Sequence, residues 1–87
     1  MLEKEIVVKN SQGLHARPAA MFVQIVSRYD SNVTIIKDGE EVNGKSIMGI
    51  LTLGVQQGTV IKLIVNGEDA QEVLDELEQL LSKEELI

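Results

Sequence analysis

The chain has 87 residues, 44% of them hydrophobic, with a single histidine, no cysteine and a formal net charge of −6. A chain of this length buries roughly 60–65% of its unfolded surface, enough for one core, so residues 1–87 are expected to fold as a single domain without staples. The composition excludes a disulfide framework, a thiolate zinc site and a thiol nucleophile, and one histidine argues against a histidine-based metal site.

No apolar run approaches the ~18 residues that a membrane span needs, and no signal-peptide pattern opens the sequence. Together with the missing cysteines this suits a cytoplasmic protein that does not insert into membranes. The acidity is uneven. Residues 68–87 hold eight acids against Lys83 alone, a net of −7, whereas residues 1–67 hold six acids and seven bases. Overall acidity makes nucleic acid a poor partner. The near-neutral first part is the better place for phosphate chemistry.

Ile6-Val7-Val8 reads as the first strand, closed by the turn-rich Asn10-Ser11-Gln12-Gly13. Pro18 suits the first turn of a helix, and Ala19, Phe22, Val23 and Val26 then mark one apolar face as far as about Tyr29. Val33–Ile36 is the second strand. Asp38-Gly39 is a two-residue hairpin turn, so a strand around Glu40–Val42 should return antiparallel.

Ser46 is a good N-cap for a short helix to about Leu53, with Gly54 as its stop. Val60–Val65 alternates as a strand. Asp69 and Glu72 have the spacing of a capping box before the stripe Ala70, Val73, Leu74, Leu77, Leu80 and Leu81. The order βαββαβα favours an α+β fold, an antiparallel four-stranded sheet with three helices over one face.

The sole histidine stands where the first helix begins. His15 at or just before the N-cap would have free backbone N–H groups beside its ring, and Arg17 follows two residues on. Free N–H groups and a guanidinium make an anion site, and histidine is a competent covalent nucleophile. The pattern points to phosphohistidine chemistry. An arginine in a first helical turn opposes the dipole, so Arg17 is easier to explain as a phosphate ligand than as a stabilising charge. Gly13 should permit a backbone conformation that a Cβ would forbid, letting the chain approach the phosphoryl group.

Gly13-Leu14-His15-Ala16-Arg17-Pro18 resembles the active-site signature of the HPr family, the phosphocarriers of the bacterial phosphoenolpyruvate-dependent sugar phosphotransferase system. Asn43-Gly44-Lys45-Ser46-Ile47-Met48-Gly49 resembles the regulatory serine region of its Gram-positive members. The resemblance implies an open-faced β-sandwich. It also implies that His15 takes a phosphoryl group on Nδ1 from phospho-enzyme I and passes it to sugar-specific IIA domains. Arg17 would be its catalytic partner, and Gly13, Ala16 and Pro18 would position the phosphate. Neither cofactor nor metal is implied, and the chain would be a monomeric carrier rather than an enzyme. Position 12 in the family often holds a short polar residue near the phosphate. Gln12 departs from that, and its contact is not carried over.

Ser46 matches a serine phosphorylated by an ATP-dependent HPr kinase/phosphorylase, whose product binds a catabolite-control repressor. A phosphate there would sit at a helix N-terminus, which tolerates it, so capping and regulation are compatible. Ile50 and Leu53 should face inward on the short helix, leaving Ile47, Met48 and Leu51 outward. With Ala20 and Gln24 of the first helix they would form a docking patch for partner proteins. Two alternatives remain: a purely regulatory HPr-like protein acting through phospho-Ser46, and the nitrogen-related HPr paralogue. Paralogues of the first kind lack the histidine, which counts against that role alone.

Overall fold

The computed structural model describes residues 1–85. It runs β1 (Leu2–Val7), α1 (Ala16–Ser27), β2 (Asn32–Lys37), β3 (Glu40–Asn43), α2 (Ile47–Leu53), β4 (Val60–Asn66) and α3 (Ala70–Ser82). The strands form one antiparallel sheet in the order β1-β4-β2-β3. The expected βαββαβα open-faced sandwich is therefore the observed one.

Register decides which side chains are buried. Ile6 pairs with Ile61, and Ile35 with Leu63, so the inner positions of neighbouring strands fall on one face. That face carries Ile6, Val33, Ile35, Ile61, Leu63 and Val65, and the helices close over it with Phe22, Val26, Ile50, Leu77 and Leu81. Alternate residues, among them Glu3, Val7, Val60 and Lys62, lie on the open face. There Lys62 pairs with Glu3 at 2.7 Å, and that partner raises the lysine's pKa.

Three local expectations need correction. Helix α1 ends at Ser27 rather than near Tyr29, because the N–H groups of Arg28 and Tyr29 turn to the carbonyls three residues back, Ile25 and Val26. Val23, assigned to the apolar stripe, is only half-buried. The Asp69–Glu72 capping box does not form, since the Asp69 side chain makes no cap bond. Its carboxylate instead accepts from the Ser31 hydroxyl and from Asp30 N–H at 3.3 Å, tying the start of α3 to the α1–β2 loop. The Ser31 hydrogen bond, with help from the backbone, holds the Asp69 carboxyl below the usual carboxylate range.

The Asp38-Gly39 hairpin forms as read, with positive φ at both residues (51° and 82°), the pattern of a type I′ turn. Lys37, at the end of β2, adds a contact that no local pattern signals. Its ammonium donates to the carbonyls of Leu53 and Gly54 at 3.0 and 3.3 Å, satisfying the C-terminal end of α2.

Candidate functional site

His15 is the N-cap residue of α1, with extended backbone (φ −127°, ψ 162°). An N-cap side chain ordinarily accepts from a first-turn N–H, but the His15 ring makes no such bond. Half-buried and without a capping role, the ring stands beside backbone donors that a ligand can use. Pro18 is buried in the first turn, as its fixed φ predicts.

Ala16, between the ring and Arg17, has φ +51°. A left-handed alanine costs roughly 1–2 kcal/mol, so the peptide leading into α1 is held in a conformation that the surrounding packing imposes. That packing centres on Gly13, whose φ is +65°. A Cβ there would lie 2.2 Å from the Val55 carbonyl oxygen and 2.7 Å from Gln56 Cα. Next to it, Leu14 N–H donates to the Val55 carbonyl at 3.0 Å, and the Leu14 side chain is fully buried. The glycine's geometric duty here is close packing of the histidine loop on the α2–β4 loop.

The other side of the loop is fastened to the end of α3. Asn10 is 1% exposed, and its amide donates to the carbonyls of Leu80 (2.9 Å) and Lys83 (2.6 Å). Lys9 N–H reaches the Leu81 carbonyl, and Ser11 N–H reaches that of Glu84. Sequence reading treats Asn10 as one more turn residue, because its partners lie 70 and 73 positions away. Its one detectable signal is an asparagine opening a tight turn, and Gly13 N–H does close that turn on the Asn10 carbonyl at 2.9 Å.

Two clefts flank the loop. One is lined by Asn10, Ser11, Gln12, Arg17, Pro18, Glu84 and Glu85. The other is lined by Ser11, Gln12, His15, Gln56 and Gln57. Arg17 is exposed and has no ion-pair partner among the described residues, leaving its guanidinium available to an anion.

Ser46 is the N-cap of α2, and its Oγ accepts from Gly49 N–H at 3.0 Å. Ser46 opens α2, and it is the loop following that seven-residue helix, at Val55 and Gln56, that packs on the histidine loop. Ile50 and Leu53 are buried, while Ile47, Met48 and Leu51 are 38%, 67% and 37% exposed. Ala20 and Gln24 are exposed on α1, which packs beside α2. The inward and outward positions expected on this helix are the ones observed. Among the described residues no group of histidine and carboxylates is arranged to hold a metal ion, and no helix is long and apolar enough to cross a membrane.

An antiparallel sheet covered on one face by three helices, with a histidine at the start of the first, is the open-faced βαββαβα sandwich of the solved HPr structures. Residues 2–83 match the family described as the PTS HPr component phosphorylation site. The chain belongs to the HPr family of the phosphotransferase system. It is 48% identical over 84 residues to the HPr-like protein Crh of Halalkalibacterium halodurans, covering 97% of this chain and 100% of that one. It is also 48% identical over 80 residues to the phosphocarrier protein HPr of Xylella fastidiosa, covering 92% and 90% of the two chains. The crystal structure of HPr-C-His from Thermoanaerobacter tengcongensis superposes with a TM-score of 0.93 at 49% identity, over 99% of this chain and 100% of that one.

Proposed function

We propose that this protein is a cytoplasmic, monomeric phosphocarrier of a single domain, in which His15 accepts a phosphoryl group from phospho-enzyme I and passes it to a IIA domain. The observation that carries this reading is a histidine at a helix N-cap whose ring makes no cap bond, with Arg17 two residues on and unpaired among the described residues. In the forward step an imidazole nitrogen, Nδ1 by family resemblance, attacks the donor's phosphorus. The new P–N bond forms as the donor's P–N bond breaks, and the reverse roles apply on delivery. Arg17 and the N–H groups opening α1 face the charge spread over the three phosphoryl oxygens. Gly13, Ala16 and Pro18 hold the loop so that this alignment exists before the phosphate arrives.

Ile47, Met48, Leu51, Ala20 and Gln24 form the surface on which enzyme I and IIA domains dock. The test is incubation with phosphoenolpyruvate and enzyme I, followed by mapping of the label. One acid-labile, base-stable phosphate on His15 is expected. Labelling of His15→Ala at full stoichiometry refutes the assignment.

The similarity to a protein named HPr-like protein Crh supports a second reading, regulation through Ser46. Under it an ATP-dependent kinase phosphorylates Ser46, and the product binds a catabolite-control repressor. Incubation with ATP and such a kinase, with Ser46→Ala as control, tests this independently of His15.

A further inference from the structure

The loop joining α2 to β4 contributes a side chain to the histidine site that the family signature does not include. Gly13 and Leu14 pack on the backbone of Val55 and Gln56, which fixes Gln56 beside His15 in one cleft. Arg17 lines the other cleft. Gln56 N–H is bonded to Thr59 Oγ1 at 3.2 Å, holding the loop, while its side-chain amide is exposed and has no hydrogen-bond partner among the described residues. The neighbouring Gln57 differs, because its amide already donates to the Lys9 carbonyl at 3.1 Å.

We infer that Gln56 is a phosphoryl-contacting residue: its amide N–H donates to a non-transferring oxygen of the phosphoryl group on His15. The inference rests on the reading of His15 as the phosphoryl acceptor. Gln56 gives up no proton and takes none; it only hydrogen-bonds to an oxygen while the P–N bonds exchange. A neutral donor is the chemistry that a carrier needs at this position. A carrier must release its phosphoryl group as readily as it takes it, and a second cation beside Arg17 would hold the dianion too strongly. An amide adds direction and a modest preference for the charged form.

The experiment uses the full chain, charged with phosphoenolpyruvate and enzyme I and followed by phosphorus NMR across pH. Removing a donor to the dianion makes the phosphoryl group harder to ionise, so it keeps its proton to higher pH. Gln56→Ala should therefore titrate at a proton concentration about tenfold lower than the unmodified protein. Gln56→Glu should move it further the same way, since a carboxylate repels the dianion. Both variants should melt as the parent does, because the side chain is exposed, and Gln57→Ala should titrate like the parent. A parent-like titration of Gln56→Ala overturns the inference and leaves His15 as acceptor. So does a shift in Gln57→Ala without one in Gln56→Ala. Absence of phosphate on His15 in the unmodified protein overturns the acceptor reading itself, and this inference with it.

Discussion

Gly13 and Gly54 share the same φ of +65°, yet a Cβ at Gly13 meets backbone atoms at 2.2 and 2.7 Å whereas one at Gly54 meets nothing within 4 Å. The pair therefore separates backbone strain from packing. Alanine at either position should cost roughly 1–2 kcal/mol for a left-handed φ. At Gly13 the overlap is with a carbonyl oxygen and a Cα, neither of which can rotate aside, so the two loops must part by an ångström or more. Overpacking of that kind costs about 1–3 kcal/mol, and parting them forfeits the bond from Leu14 N–H to the Val55 carbonyl, worth about 1 kcal/mol. Gly13→Ala should then lose about 4 kcal/mol and Gly54→Ala about 1.5 kcal/mol. In a domain of this size each kcal/mol moves the Tm by about 4–8 °C, so thermal melts should separate the variants by at least about 10 °C. Urea titrations should show the same order in midpoint with an unchanged slope. Equal losses in the two variants would refute the claim that Gly13 exists for contact between the loops.

Arg17→Ala should slow phosphoryl transfer with little change in Tm, and Arg17→Lys should restore only part of the rate, because a point charge cannot reproduce a two-pronged contact; a wild-type rate in the alanine variant would make Arg17 a surface charge. Met48→Asp should weaken association with enzyme I while costing less than ~1 kcal/mol in stability, as fits a side chain 67% exposed, and a large stability loss in melts would show it to be core. Ser46→Ala should cost about 1 kcal/mol by removing the Gly49 cap, whereas Ser46→Asp keeps a capping oxygen, melts like the parent and slows His15 phosphorylation in steady-state assays. The Asp69 carboxyl is held below its ordinary range by Ser31, so its contribution is complete above the unfolded pKa and lost as pH falls through the folded one. The Tm gap between parent and Asp69→Asn should accordingly hold steady above the ordinary carboxyl pKa of about 3.9 and narrow as pH falls below it, and a constant gap would discount that hydrogen bond.

The features legible in the sequence are those whose cause is local. Alternation places Ile61, Leu63 and Val65 on one face, Pro18 and Ser46 mark helix starts, and Asp38-Gly39 fixes a hairpin, because each depends on neighbours within four residues. The outward turn of Ile47 and Met48 is legible for the same reason. Asn10, Lys37 and Gln56 are not, since each acts on backbone or side chains brought near only by the tertiary fold. Asp69 shows how a local rule loses: its spacing to Glu72 suits a capping box, but the Ser31 hydroxyl and the Asp30 N–H compete for the same carboxylate. The true purpose of Gly13 is likewise invisible without Val55 beside it.

The Asn10 amide bonds join residues 70 and 73 positions apart. During synthesis, the loop bearing His15 is among the first parts made and waits for nearly everything after it before its last restraints exist. Strand β1 is in the same position, since its only partner among the described residues is β4. A ribosome-bound fragment ending before α3 would thus carry the histidine loop without the bonds from Asn10, Lys9 and Ser11 that fasten it to the end of that helix.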